Sequence, residues 1–292
     1  MEEQARLFEQ HRSLLLGIAY RMTGVLAEAQ DVVQDTWVKW SRAELAKVRD
    51  ARAWLVTACS RQALDVLKSA RRRRESYCGV WLPEPFHETT EDGGPVAAGV
   101  DESVSMALML ALEKLSPAER AAFLLHDVFG HEFDEIAVIL GKSGPACRKL
   151  ASRARAAVQA ARPRFETRVE DHQRLLEAFL KAAYAGELQE LKSLLAESVE
   201  MRSDGGGKVS ALPDIMRGVD AVARFLVGVM HHRPQAHEGR RLVPCRFNGA
   251  PGILIHEGGR LVTALTIDVE AGRIQAIYAV RNPDKLRGLE GV

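Results

Sequence analysis

Apolar residues recur at helical spacing from the start of the chain, in Leu14, Leu15, Ile18, Ala19 and Met22. Gly24 interrupts that run. A second helix is expected over Ala27 to Trp40, with Val32, Val33, Thr36 and Trp37 on one side, and a third from Ala51 to about Arg74, where it ends in four arginines. Helical periodicity resumes at Val104. Ser116-Pro117-Ala118-Glu119 reads as a helix start: a capping serine, proline in the first helical position, and glutamate three residues after the cap. His131 to Leu140 and Pro145 to Ala161 are two further amphipathic helices separated by Gly141, and Pro163 stops the second. Beyond Phe165 the period changes. Helices over Asp171–Ala185 and Glu187–Ser198 precede strand-like runs at Val199–Ser203, Lys208–Leu212, Arg241–Phe247, Gly252–His256, Leu261–Glu270 and Arg273–Val280, with one helix, Val219–His231, among them. Glycine turns at Gly205–Gly207, Gly249, Gly258-Gly259 and Gly272 separate the strands. The expected architecture is multidomain: an all-α first half followed by an α+β domain.

Between the helical halves the composition shifts. Glu75 to Glu102 holds seven acidic residues, no lysine or arginine, and helix-breaking Gly79, Pro83, Pro85, Gly93, Gly94, Pro95 and Gly99. This is a linker longer than compact domains use. The expected boundaries are a helical domain at 1–74, an acidic linker at 75–103, a second helical domain at 104–163 and an α+β domain at 168–292. At 292 residues and 47% hydrophobic content the chain can bury several cores, and 27% charged residues is ordinary for a globular protein. Cys59, Cys78, Cys147 and Cys245 are far apart, with neither zinc spacing nor a disulfide framework, which points to a reducing cytoplasm. No apolar stretch reaches membrane-spanning length, so no membrane is expected as a partner. The pair His231-His232 has no further ligands in pattern, and neither a metal nor a cofactor is expected.

The net charge of +1 says nothing about partners, but its distribution does. Phe133–Leu140, the turn at Gly141–Pro145 and the helix that follows describe a helix-turn-helix, with Ile136, Ala137, Ile139 and Leu140 supplying the first helix's core. Leu150, Ala154 and Val158 are expected to pack inward from the second helix. Lys142 to Arg168 carries eight basic residues against the single acid Glu166, and Arg148, Lys149, Ser152, Arg153 and Arg155 project elsewhere. A solvated basic face would explain that charge but not the turn and spacing together. A cationic helix presented by such a turn suits the major groove, where arginine forks onto guanine and other cations hold phosphates. A second basic element comprises Arg61, Lys68, Arg71, Arg72, Arg73 and Arg74, opposed only by Asp65. Two basic readers joined by an acidic tether point to two separated DNA sites.

Together these features resemble the extracytoplasmic-function sigma factors of bacterial RNA polymerase. Glu28 to Trp37 resembles region 2.2, which implies docking on the clamp helices of the polymerase β′ subunit through Asp31, Gln34, Asp35 and Trp37. Trp54-Leu55-Val56-Thr57 and the basic helix after it resemble regions 2.3 and 2.4. Arg61, Lys68 and Arg71 to Arg74 are then −10 contacts, although Arg61 stands where many members carry asparagine. Leu115 through Arg155 resembles region 4, implying −35 contacts by Arg148, Lys149, Ser152 and Arg153 and a further contact with the polymerase β flap.

Three more stretches, Trp81-Leu82-Pro83-Glu84-Pro85, Asp204-Gly205-Gly206-Gly207-Lys208 and Asn282-Pro283-Asp284-Lys285-Leu286, resemble signatures of a subgroup with a fused SnoaL-like domain of the nuclear transport factor 2-like, cone-shaped fold. The resemblance implies that this domain regulates the sigma factor from within, with Trp81, Leu82, Pro83, Asp204, Lys208, Asn282, Asp284 and Lys285 at or near an interdomain contact. It also leaves room for a small-molecule ligand. The glycine stretch has the wrong spacing for a phosphate-binding P-loop. The rival reading is enzymatic, since such folds include isomerases. Asp204, His256 and Asp268 are the candidate bases, but no pair is evidently arranged for catalysis, so no catalytic residue is assigned.

Overall fold

The computed structural model describes residues 2–74, 76–86, 105–161, 168–231 and 239–290, and for Arg71 to Arg73 and Ala161 the backbone alone. The acidic linker expected at 75–103 therefore falls largely outside the described residues. The chain divides into two compact units, Met1–Ser76 with Glu88–Arg162, and Tyr77–His87 with Pro163–Val292.

The first unit is helical. α1 (Glu2–Thr23), α2 (Leu26–Ser41) and α3 (Ala51–Arg74) pack on one another. Leu15, Ile18 and Met22 of α1, Val32, Val33 and Trp40 of α2, and Leu55, Cys59, Ala63 and Leu67 of α3 are buried. Gly24 breaks α1 from α2 at φ 74°. Trp40 is fully buried without leaving its indole nitrogen unpaired, because Nε1 donates to the Gln4 carbonyl at 2.8 Å. α4 (Met106–Glu113) and α5 (Pro117–Phe123) follow, and a π turn (Leu124–Val128) extends α5. The Ser116–Glu119 capping box starts α5 as its sequence predicts. α6 (Phe133–Leu140) ends on Gly141 in the left-handed region, φ 63°, and α7 (Gly144–Ala161) begins three residues later. The inward stripe of α7 is Cys147, Ala151, Ala154 and Val158, all buried, whereas Leu150 is half-buried. Residues four and three apart on one face seat a helix more closely when they are small.

The second unit carries α8 (Val169–Ala185), α9 (Leu188–Leu194), β1 (Leu195–Asp204), β2 (Met216–Arg217), α10 (Val219–Met230), β3 (Arg241–Phe247), β4 (Ala250–Glu257), β5 (Arg260–Glu270), β6 (Arg273–Val280) and α11 (Pro283–Leu286). The sheet order is β2-β1-β6-β5-β4-β3, with β1 parallel to β6 and the other neighbours antiparallel. Alternation sends Met201, Ile277, Ile267, Leu265, Ile255 and Ile253 into one core with Leu176 and Phe179 of α8 and Val222 and Leu226 of α10.

Two strand expectations are corrected. The helix expected to reach Ser198 stops at Leu194, because Leu195 already pairs with Ile274 and the core face of the sheet claims it. Lys208–Leu212 is not a strand, and Met216–Arg217 pairs with β1 instead. After Asp204 the chain curls: Lys208 and Val209 N–H both bond the Gly205 carbonyl, which turns the backbone away from the sheet.

On the other face of β5, burial pushes the Asp268 carboxyl up to about 6, and Glu270 adds to the shift. A carboxyl with a raised folded-state pKa binds its proton more tightly in the folded protein. Stability should therefore be greatest below pH 4 on this group's account and fall as pH rises to about 6, then level off. Asp268→Asn should raise stability by about 1–3 kcal/mol at pH 8 and change little at pH 4. Denaturant unfolding of the full chain at the two pH values checks this.

Candidate functional site

Three parts of the molecule carry the chemistry. The first is α2. Its core stripe turns Asp31, Gln34 and Asp35 outward, and all three are exposed. Trp37 is half-buried and tilts against Phe8 at 5.1 Å, and Asp35 accepts a hydrogen bond from Gln62 at 3.0 Å. The result is a polar, acidic face flanked by a partly exposed indole.

The second is the pair α6–α7 and its joint with α1 and α3. Arg148, Lys149, Ser152 and Arg153 are exposed together on α7. Arg148 lies 5.7 Å from the Phe133 ring centroid, and Arg153 reaches Glu119 at 2.8 Å. The second basic element is partly committed elsewhere. Lys68 is exposed and pairs with Asp65 at 3.0 Å, while Arg61 donates to the Val138 carbonyl of α6 at 2.6 Å. Arg74 bonds Glu113 of α4 and the Thr23 carbonyl. The side chains of Arg71, Arg72 and Arg73 lie outside the described residues. Glu113 also holds Arg120, whose Nε donates to the Arg21 carbonyl at 2.9 Å, and Arg21 lies over the Phe129 ring at 5.2 Å. Arg120 and Arg21 are completely buried. Desolvation lowers the Arg120 pKa, and the Glu113 carboxylate opposes it. This ionic joint was not legible in the sequence, where Glu113 and Arg120 look like ordinary surface positions of a helix.

The third is a polar hub in the second unit, and it unites the three signature stretches. Asp204 ends β1 fully buried, and Lys285 of α11 reaches its Oδ2 at 2.7 Å. Leu82 N–H donates to the same oxygen at 2.8 Å, and Lys285 Nζ donates back to the Leu82 carbonyl at 2.5 Å. Tyr77 O–H and Gly206 N–H donate to Asp204 Oδ1 at 2.6 and 3.0 Å. Asn282 caps α11 with its side-chain oxygen and donates to the Tyr77 hydroxyl at 3.0 Å. The ammonium sits 4.3 Å from the Trp81 ring centroid, a cation–π contact in a desolvated setting. Gly206 is required here: at φ +61° a Cβ would stand 2.3 Å from the Asn282 amide nitrogen. At the far end of the segment, Phe86 exchanges two backbone-side hydrogen bonds with Asn248. Leu82 through Phe86 are buried, so what reads as a linker is an ordered strap on the α+β domain. Lys208 and Asp284 pair with each other outside the hub, both substantially exposed. Burial, then Asp204, raises the Tyr77 pKa, so the phenol stays a donor at any ordinary pH. Tyr77 is the hub residue that sequence reasoning missed.

Residues 7–73 match the family model for sigma-70 region 2, and residues 105–158 the model for sigma-70 region 4. The ECF RNA polymerase sigma factor SigJ of Mycobacterium tuberculosis is 39% identical over 295 residues, covering 96% of this chain and 92% of the relative. This chain belongs to the extracytoplasmic-function RNA polymerase sigma factors. A probable ECF sigma factor, SigI of the same species, is 32% identical over 94% of this chain and 92% of its own length. The crystal structure of M. tuberculosis SigJ superposes with a TM-score of 0.77 at 35% identity, covering 96% of this chain and 97% of that one. Sigma factors of this family bind the polymerase core and promoter DNA and initiate transcription at specific promoters. The fold class is the expected one: helical regions 2 and 4, then an α+β domain.

In this sigma factor the three candidate bases do not meet. Asp204 is held by Lys285, while His256 pairs in register with Leu261 and Asp268 with Ala276. Seven residues of β5 separate those positions, roughly 20 Å of strand. His231 bonds the Tyr184 carbonyl at 2.9 Å, and His232 lies outside the described residues. No group of metal ligands occurs among the described residues. No helix among them is long and apolar enough to cross a membrane.

Removing one partner of a buried ion pair strands the other charge. Asp204→Ala should therefore destabilise the second unit by about 3–5 kcal/mol. Lys208→Ala and Asp284→Ala, in an exposed pair, should cost less than about 1 kcal/mol. Thermal unfolding of the three variants in the full chain distinguishes these outcomes.

Proposed function

We propose that residues 1–74 act as region 2, 104–163 as region 4 and 168–292 as a built-in regulator that works by holding the strap. The reading is supported above all by the capture of Trp81–Phe86 by Asp204, Lys285 and Asn248. Region 2 docks on the β′ clamp helices through Asp31, Gln34, Asp35 and Trp37. Region 4 presents Arg148, Lys149, Ser152 and Arg153 to the −35 element and meets the β flap. Lys68 and the arginines at the end of α3 serve the −10 element. The protein works in the cytoplasm, where polymerase is.

The joint within the first unit supports a closed state. Arg61 and Arg74, two of the −10 candidates, are occupied by α6 and α4 of region 4. Both become available to DNA when regions 2 and 4 separate. The strap bears on that separation because it belongs to the chain that connects them. Docked, Tyr77 to Phe86 spans only the fixed distance between its ends; released, it can span up to roughly 35 Å of extended chain. Holding the strap thus limits how far region 4 can move from region 2. The equilibrium between closed and open arrangements is the quantity regulated.

Run-off transcription with core polymerase should differ between the intact chain and one lacking residues 166–292, and unchanged activity would exclude the built-in regulator; three variants test the rest by pull-down, promoter binding and scattering. Asp31→Arg should weaken core binding severalfold in pull-down without lowering the melting temperature, since an exposed charge reversal has little effect on stability. Alanine at both Arg148 and Lys149 should weaken promoter binding, by about 1–3 kcal/mol if one forks onto a guanine, with relaxed preference at that base. Glu113→Gln should loosen the joint and expand the particle in small-angle scattering. If Asp31→Arg binds core normally, the docking face is misassigned.

A further inference from the structure

A cavity of about 710 Å³ lies in the second unit between the β4–β5 turn and α11. That is within the 300–1,000 Å³ of typical small-molecule sites. Its apolar wall includes Val209, Leu261, Val262 and Leu286, and its polar groups are His256, Arg260, Arg281 and, at the rim, Glu290. It is separate from the space between α8 and β3–β4, which Leu176, Cys245 and Ile253 line.

The polar groups favour an anion. Arg260 is exposed at the mouth, and Arg281 is half-buried with its guanidinium bonded to the Ser210 carbonyl. His256 is only 9% exposed, and its Nδ1 is buried without a hydrogen-bond partner. Desolvation, with Arg241 nearby, lowers the His256 pKa, so this imidazole adds no positive charge to the lining near pH 7. Two guanidiniums against one exposed carboxylate leave the lining net positive.

The walls connect to the hub. Val209 follows Lys208, Leu286 follows Lys285, and Arg281 precedes Asn282. Arg281 N–H also bonds the Asp204 carbonyl at 2.7 Å. We propose that this cavity binds a small amphipathic carboxylate, its charge on Arg260 and Arg281 and its apolar body on Val209, Leu261 and Leu286, and that occupancy is felt by the docked strap. The second half rests on the regulatory reading above; the binding itself does not.

The test uses the full chain with leucine and valine methyl labels, titrated with hexanoate, decanoate and 2-naphthoate and with the amide of each. At least one carboxylate should bind and shift the Val209, Leu261 and Leu286 methyls, and its amide should bind at least tenfold more weakly. Arg260→Gln, exposed and harmless to folding, should weaken binding severalfold, and Arg260→Gln with Arg281→Gln at least tenfold. The Leu82 methyls should move with occupancy. Binding by none of the three acids, unchanged affinity in Arg260→Gln, or shifts centred on Leu176 and Ile253 would overturn the site. Shifts at the site with Leu82 unmoved would overturn the coupling to the strap. Because binding is read without transcription, its failure leaves the regulatory reading standing, and the run-off assays decide that reading separately.

Discussion

A single buried ion pair organises the second unit. Desolvating a carboxylate and an ammonium costs several kcal/mol per ion, and their attraction offsets this only when the remaining lone pairs and protons are satisfied. Asp204 and Lys285 meet that condition through the strap. Tyr77 O–H and Leu82 N–H complete the carboxylate, while the Leu82 carbonyl and the Trp81 ring complete the ammonium. Withdrawing the strap removes all four at once, so the pair must then be solvated. Water can do this, as it cannot for an apolar socket. The dock is not polar throughout, since Leu82 and Phe86 are also fully buried, so release of the strap exposes apolar surface along with the ion pair.

The first unit follows the same logic. Glu113 accepts from Arg74 and Arg120, and the carbonyls of Thr23 and Arg21 at the end of α1 take further donors from the same two arginines. Those carbonyls belong to the last turn of a helix, where acceptors lack intrahelical partners. The joint therefore uses groups that water would otherwise satisfy. Charge-assisted hydrogen bonds therefore contribute to holding regions 2 and 4 together, and for these groups separation is an exchange of partners. Arg61 on the Val138 carbonyl repeats the pattern at the other side.

Local periodicity made most of this legible. The α2 face, and Ala154 and Val158 on α7, followed from apolar spacing, and the capping box at Ser116 stands as written. Misses arose where a distant partner decides. Leu150 looked like the packing residue of α7 because it is the large apolar one, yet the smaller Cys147 and Ala151 take the buried stripe. Lys208–Leu212 alternates like a strand, but the glycines before it fold the chain back. Nothing in the sequence distinguishes Tyr77, Glu113 or Arg120, because each acquires its role from a group more than a turn away in another element. The signature stretches were visible by resemblance; that they meet at one carboxylate was not.

In the proposed reading, the position of the captured segment is what gives a small domain its leverage. A separate inhibitor would have to mask two DNA-reading surfaces and the polymerase-docking face by direct contact. Here the regulator grips part of the chain that joins those surfaces, and covalent connection supplies the effective concentration, so a modest docking free energy keeps the strap seated. The same modesty makes the balance adjustable. Near equal populations, about 1.4 kcal/mol changes the ratio of docked to free strap tenfold, whereas carrying a two-state equilibrium from 1:99 to 99:1 takes about 5.5 kcal/mol of differential affinity. Under the proposed reading, polymerase binding on one side or a change beside Asn282 on the other moves the strap only as far as its unequal affinity for the docked and free states allows.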